Sequence, residues 1–490
     1  DTDRRLPVVI ARGPTWTLTD QERDDLDLYS PPVGLFGLLN RTSTGLGARR
    51  LRDALEQPSL SGSHIAARQT LVRWLATHHE QRLRLMAALA EARREDEHVT
   101  RLIRAVDDAR PLPRALPPRL LLAWSLISSG LTAFGLARAS IGDFMWALVL
   151  LGLLVLNGLL AWPSRAAVRG ALAAWDEAAW ATRAYLGAAR QAATDLPTDT
   201  QLAFLRGAAA KVAAPALLPR LQRRLRWTER GGAFWELLNL VAFVDTHVAR
   251  GLLNCVVPNR DALLLGLAAL AELDALSSLA CFAAEQPVTC YPTPAGDPRL
   301  TLTAGRHPLV PPERVVPNDV ELSATTRLWV ITGSNMAGKS TFLRMVGVNV
   351  LLAQLGGVVT AREMRWSPVR LVTDLRARDN LAGNESYFLA EVRHLRRMVN
   401  PPAGDVPILG LIDEPFRGTN SRDQSAASIA VVRHLLTGPH LFLLATHDQH
   451  LTALADGVTA RNWHFRENLS DTTLVFDYRL HEGPAQTRNA

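Results

Sequence analysis

A chain of 490 residues, 48% of them hydrophobic, is long enough for two or three domains and has ample material to bury their cores. Its net charge of +7 permits a nucleic-acid partner or an anionic membrane surface without choosing between them. Cys255, Cys281 and Cys290 are few, odd in number and outside C-x-x-C spacing, which argues for a reducing compartment and against a zinc site. The basic residues are almost all arginine; only Lys211 and Lys339 are lysine. A guanidinium fork is too bulky for a tight phosphate loop, so a lysine kept in such a loop is informative. The chain begins at Asp1 without a signal-peptide pattern, and the expectation is that it is trimmed at its start.

Residues 1–33 read as a polar, proline-bounded arm with a short helix over 20–28 and no legible chemistry. From Gly34 the text becomes informative. Thr42, Ser43 and Thr44 can cap a helix whose apolar face carries Leu46, Leu51 and Leu55, and Pro58 closes it. A plain helical hairpin would account for that much. Yet Leu38-Leu-Asn-Arg-Thr-Ser-Thr-Gly-Leu-Gly-Ala-Arg49, followed by Pro58 and Ile65-Ala-Ala-Arg68, resembles the core-domain opening of the MutS family of DNA mismatch-repair ATPases. Residues 34–118 are therefore expected to be the first part of a helical core, with residues 61–107 amphipathic and their arginines outward.

The character then changes. Residues 120–137 carry no charge, 138–143 form a short polar link, and 144–162 are again uncharged. Each run is close to the roughly 20 residues needed to cross a hydrocarbon core. Trp124, Trp146 and Trp162 lie toward the ends, where indole rings prefer headgroups. Arg110, Arg114 and Arg119 precede the pair, and Arg165 and Arg169 follow it. The expectation is a two-helix membrane hairpin over 119–163 with both flanks in the cytoplasm, anchored in a bacterial inner membrane. A pair of core helices in a cytoplasmic all-helical domain is the competing reading, which Ser125, Ser128, Ser129 and Asn157 keep open.

Residues 164–285 read as the second part of the helical core, alanine- and leucine-rich, with breaks near Pro197, Pro215, Gly231 and Pro258. Arg220, Arg223, Arg224, Arg226 and Arg230 can hold a phosphate backbone, though a solvated face or lipid headgroups are the plainer account. The buried run 267–280 resembles the family's helix leading into its ATPase domain.

Residues 286–490 carry the chemistry. Leu328-Trp-Val-Ile-Thr332 is a strand, Gly333 to Lys339 a glycine-bounded turn and Ser340 onward a helix, which is the order of a nucleotide-binding P-loop. Gly333, Ser334, Asn335, Met336, Ala337, Gly338, Lys339, Ser340 and Thr341 are the expected ATP-binding residues. Loop amides and Lys339 would hold phosphates, and the Ser340 hydroxyl would coordinate Mg²⁺. Ile408-Leu-Gly-Leu-Ile-Asp-Glu414 is a buried strand ending in two acids: Asp413 for the metal shell, Glu414 as base for the attacking water. Phe442-Leu-Leu-Ala-Thr-His447 is the next strand, and His447 suits a γ-phosphate sensor.

Asn384-Glu-Ser-Tyr-Phe-Leu-Ala-Glu391 opens a helix at Ser386 whose free N–H groups favour an anion. A P-loop with such a helix start and a histidine-ended strand resembles ABC-class ATPases, in which the serine-bearing helix of one subunit closes on the nucleotide of the other. Thr332-Gly-Ser-Asn-Met-Ala-Gly-Lys-Ser-Thr341 and Asp413-Glu-Pro-Phe-Arg-Gly-Thr-Asn420 resemble the MutS wording within that class, and the transporter signature L-S-G-G-Q is missing. The resemblance implies a homodimer that binds and hydrolyses ATP with Mg²⁺ and acts on DNA in mismatch repair. It also places a loop around Val316-Pro-Asn-Asp319 near the adenine, but Val315 stands where the family often has an aromatic residue. The expected mismatch-reading domain is not legible, and Phe234-Trp-Glu236 and Phe465-Arg-Glu467 read as chance matches to its Phe-x-Glu motif. The expected fold is α + α/β: a helical core interrupted by a membrane hairpin, then a P-loop NTPase domain. A membrane-anchored mechanochemical ATPase acting on a protein or lipid partner, without DNA, is the alternative function.

Overall fold

The computed structural model describes residues 13–91, 96–112, 116–197, 202–214, 218–225, 233–334, 337–375, 395–400, 404, 406–416, 421–470 and 473–485. They form two compact units. One holds Ser43–Gly47 and Glu80–Asp274, the other the described residues of Ile10–Thr42, Ala48–His79 and Ala275–Ala490.

The first unit is helical. Its elements include α1 (Asp96–Asp107), α2 (Pro118–Ser140), α3 (Met145–Asp195), α4 (Leu202–Ala213), α5 (Ala233–Ala242), α6 (Val244–Val256) and the start of α7 (Arg260–Glu285). The far half of α3 packs against α1 and α4 through Trp175, Ala178, Ala181, Tyr185 and Ala188, where alanines let helix axes come close. Pro163 does not end α3, which runs 51 residues through it. A proline inside a helix removes one rung of the ladder, and the rungs on either side carry the helix past. The near half of α3 and all of α2 are different: Leu126 is 66% exposed and Phe144, at the link, 81%. In α7, by contrast, every residue from 267 to 280 is buried.

The second unit is α/β. Six strands run in the order β9-β8-β3-β7-β6-β5, where β3 is Leu328–Thr332, β5 Arg370–Asp374, β6 Ile408–Asp413, β7 Leu441–Ala445, β8 Ala460–Ser470 and β9 Thr473–Glu482. All neighbours are parallel except β8 with β9. Continuous apolar runs such as Leu-Trp-Val-Ile-Thr in β3 are what a parallel sheet covered on both faces requires, and all five residues of β3 are buried. A smaller sheet joins Thr293–Pro294, β4 (Glu363–Trp366), β1 (Leu300–Gly305) and β2 (Asn318–Leu322). Helix α8 (Lys339–Gln354) lies on the large sheet, and Gly347 lets Leu26 and Leu411 approach where a Cβ would meet them at 2.6 and 2.8 Å.

The arm does more than the sequence suggests. Trp16 Nε1 donates to Leu371 O at 2.9 Å, and Asp25 Oδ2 accepts from Thr373 Oγ1 at 2.8 Å and from Leu375 N at 3.0 Å, so this segment covers the edge strand β5. The arginines of 61–107 are not all outward either. Arg68 and Arg82 are buried, and Arg68 Nε donates to Leu355 O at 2.7 Å, satisfying a helix-end carbonyl.

Candidate functional site

Parallel strands deliver their C-terminal ends to one edge of the sheet, and the loops after β3, β6 and β7 meet there. The loop after β3 starts at Gly333 (φ 140°) and ends at Gly338 (φ 104°), both in the region that side chains avoid. A Cβ on Gly333 would also press on Phe465 O at 3.2 Å. Lys339, 3% exposed, follows at the first turn of α8. Its ammonium donates to Gly333 O and, at 3.1 Å, to Ser334 O, and stands 3.0 Å from His447 Nε2. His447 Nε2 is in turn 2.8 Å from Glu414 Oε1. One ring nitrogen serves one of these partners at a time: protonated it donates to Glu414, bare it accepts from Lys339.

Asp413, the last residue of β6, accepts a hydrogen bond from Ser340 Oγ. A hydroxyl and a carboxylate side by side are hard oxygen donors of the kind Mg²⁺ takes, with phosphate and water oxygens filling the other positions. These residues fit that ion. Glu414 and Phe416 adopt left-handed backbone conformations (φ 54° and 61°), strain of about 1–3 kcal/mol each that turns the chain sharply away from the strand end. Of the predicted site residues, Gly333, Ser334, Gly338, Lys339, Ser340, Asp413, Glu414 and His447 come together, with Ala337 buried in the loop and Thr341 on the adjoining cleft wall. Asn335, Met336 and Ser386, with 417–420, lie outside the described residues.

Beside the loop is a cleft of about 350 Å³ whose wall includes Val315, Val316, Met345, Phe465 and Tyr478. Val315 is there as the sequence places it, and the aromatic residues of the wall come from elsewhere: Phe342 from α8, Phe465 from β8, and Tyr478 from β9, whose Cδ1 lies 3.3 Å from a would-be Cβ on Gly338. Asn318 fastens that strand: Nδ2 donates to Tyr478 O at 2.9 Å and Oδ1 accepts from Leu480 N at 2.9 Å, across the irregularity between Phe476 and Leu480. Its amide is thus committed to β9. His307, buried on the same wall, accepts from Leu309 N through Nδ1 at 3.2 Å. Burial, then the positive Arg344, pull its pKa down to about 4 against the opposing Asp27, so the ring is neutral at pH 7.

Two further features were not expected. Glu467 Oε1 accepts the Ser334 N–H at 3.1 Å, which puts a carboxylate on an amide of the loop expected to hold phosphate. Phe465-Arg-Glu467 therefore bears on this site. The Ser334 hydroxyl is buried without a hydrogen-bond partner among the described residues, which suits a loop that awaits an anion. No sequence signal marks Tyr478, which reaches the loop through the β8–β9 pairing, whereas Glu467 is brought there by β8 running beside β3, and its Phe-x-Glu setting reads in the sequence as a chance match.

Comparison with known proteins gives concordant results. The model of MutS domain III matches residues 18–280, more than half of the chain, and that of MutS domain V matches residues 329–489. The DNA mismatch repair protein MutS of Natronomonas pharaonis is 39% identical over 226 residues, which is 44% of this chain and 26% of that protein. DNA mismatch repair protein MutS 2 of Halobacterium salinarum is 39% identical over 224 residues (44% and 25%), and MutS 1 of the same organism 40% over 219 residues (44% and 25%). The chain spans about a quarter of the length of the curated relatives it matches.

Proposed function

Because the chain belongs to the MutS family, we propose that it binds and hydrolyses Mg-ATP as a homodimer and couples that cycle to DNA, in a role related to mismatch repair. The observation that supports this best is the convergence of Lys339, Ser340, Asp413, Glu414 and His447 at one edge of the parallel sheet. Lys339 and the loop amides hold the β- and γ-phosphates, and Ser340 and Asp413 hold the metal, which neutralises phosphate charge when bound. Glu414 takes the proton of the attacking water. His447 orients Glu414 or touches the γ-phosphate. Tyr478 and the valines of the cleft wall offer the base an aromatic and an aliphatic surface. Ser386 of a second subunit closes the site, so that hydrolysis opens the dimer and moves the helical core.

The test is the ATPase rate of the full chain in detergent with and without duplex, mismatched and branched DNA. Stimulation by DNA, with salt-sensitive binding, is expected. A rate that is indifferent to all three DNAs would turn the assignment to the second reading: an ATPase held in a bacterial inner membrane, its α/β unit in the cytoplasm, acting on a protein or lipid. The observation behind that reading is the exposed apolar surface of α2 and α3.

A further inference from the structure

Apolar surface in the helical unit is concentrated on three helices, not two. On α2 and α3, Leu126, Phe134, Leu151 and Leu159 are each more than half exposed, and on α5 Phe234 is 74% and Leu237 55% exposed. The exposure is nearly all round. Helix α2 buries only a narrow stripe, Leu121, Ser125, Ser128 and Gly135, and three of these four are small. A Cβ on Gly135 would meet Leu150 Cδ2 at 2.7 Å, so α2 and α3 touch almost backbone to side chain. Small residues between helices and large apolar ones facing out is the arrangement of helices solvated by lipid, where apolar side chains gain nothing by turning inward. A docking face for a protein would be one stripe, not most of the circumference.

The buried polar groups between these helices are paired internally. Asn157, 1% exposed, donates to Ser128 Oγ at 2.7 Å and to Leu240 O at 3.0 Å, and accepts from Trp124 Nε1 at 2.8 Å. One amide thereby ties α2, α3 and α5 together. Helix α5 turns two of its polar residues to the protein: Trp235 Nε1 and Asn239 Nδ2 donate to the Asp245 carboxylate at 2.9 and 2.8 Å, while Glu236, in its first turn, is exposed and has to lie at the headgroup end of the helix. Its Phe234 and Leu237 are left on the open side. A bilayer core supplies no water to satisfy polar groups, and the amide, hydroxyl and indole groups paired here need none.

Length completes the argument. Helix α2 has 23 residues, about 34 Å, against a hydrocarbon core of about 30 Å, whereas the 10 residues of α5 reach about 15 Å. Asn157 lies eight residues from Arg165, about 12 Å along α3, so the Leu240 end of α5 sits within the leaflet on the arginine side.

The geometry points to a three-helix membrane unit in which α5 enters the bilayer beside α2 and α3 without crossing it, keyed by Asn157. This rests on the reading that residues 120–162 span a membrane. It is tested on the full chain in bacterial inner-membrane vesicles, with Cys255, Cys281 and Cys290 replaced by alanine and one new cysteine at a time. Leu151→Cys reports the hairpin, Phe144→Cys the link, and Leu237→Cys the short helix; Phe234→Cys gives a second position on α5 should Leu237→Cys fail to accumulate. Each is treated with a membrane-impermeant maleimide, then labelled with a fluorophore and exposed to spin-labelled lipid. Expected are protection and lipid quenching at Leu151→Cys and Leu237→Cys, and reaction of Phe144→Cys from the far side only. If the α5 cysteines react, or are protected but not quenched, while Leu151→Cys is protected and quenched, α5 lies outside the lipid and the three-helix unit is wrong although the hairpin stands. If Leu151→Cys also reacts and alkaline carbonate strips the protein from the vesicles, the spanning reading fails and takes this one with it. A larger soluble oligomer without detergent would then assign the apolar surface to a second copy of the chain.

Discussion

His447 Nε2 lies 2.8 Å from Glu414 Oε1, and the same nitrogen lies 3.0 Å from Lys339 Nζ, so the histidine stands between the acid that follows β6 and the lysine that follows β3. Groups arranged in such a chain act as a unit, and their losses should not multiply. Glu414→Gln is expected to lower kcat about 10²- to 10⁴-fold while nucleotide still binds, the range for removal of a general base. His447→Ala should cost a comparable factor, and the double variant little more than the worse single one. Steady-state ATPase rates beside nucleotide titrations check this; a Glu414→Gln protein turning over at the wild-type rate would remove the assigned base.

If the loop binds ATP as proposed, Glu467 competes for the place of a phosphate oxygen. Its carboxylate takes the Ser334 N–H at 3.1 Å, and on the proposed function an incoming polyphosphate would have to displace it and tolerate its charge. Glu467→Ala is therefore expected to tighten nucleotide binding about five- to tenfold, near the ~1 kcal/mol net worth of one hydrogen bond. Titration with a fluorescent ATP analogue measures it. Unchanged or weaker binding would mean that the contact supports the loop instead of blocking it.

The chemistry-bearing strands were legible because each is an apolar run that needs both faces covered. Leu328–Thr332 begins and ends where the sequence puts it, and Ile408–Asp413 stops at the first of its two acids. Local signals sufficed there. Glu467 reads as part of a chance motif because its place depends on β8 lying beside β3, its contact with Ser334 spanning 133 positions, and Tyr478 depends on how β9 pairs with β8 and on an irregularity pinned by Asn318, neither of which a short window of sequence encodes. The same holds for Asp25, whose contact with Leu375 spans 350 positions. At Pro163 a local rule misleads in the other direction, as neighbouring turns carry α3 past a residue that often ends helices.

Tyr478 offers the only large flat surface that the described cleft wall gains from β9, and its backbone is held in a left-handed conformation (φ 54°) by the Asn318 bonds. If it carries the base, Tyr478→Ala should weaken ATP binding about tenfold or more, in line with the ~1–3 kcal/mol of base–aromatic stacking, while Tyr478→Phe should be nearly neutral. Asn318→Ala is expected to mimic the loss partly, by loosening the strand. Equal affinity for ATP in wild type and Tyr478→Ala would leave the base to the rest of the wall, Val315, Val316, Met345 and Phe465 among it.

His307 gives the α/β unit a pH dependence whose sign follows from its burial. The folded ring titrates near pH 4 and an unfolded one near 6.5, so between those values the unfolded chain binds a proton that the folded chain refuses. Stability is unaffected above about pH 7, falls as pH drops through 6.5, and has lost about 3 kcal/mol by pH 4 from this group alone. His307→Gln removes the titration. Thermal unfolding of both proteins in detergent from pH 7.5 to 4.5 should show the wild type losing stability faster, with the difference confined to the region below 6.5. Parallel curves would mean that the imidazole is protonated in the folded protein, with Asp27 outweighing burial and Arg344.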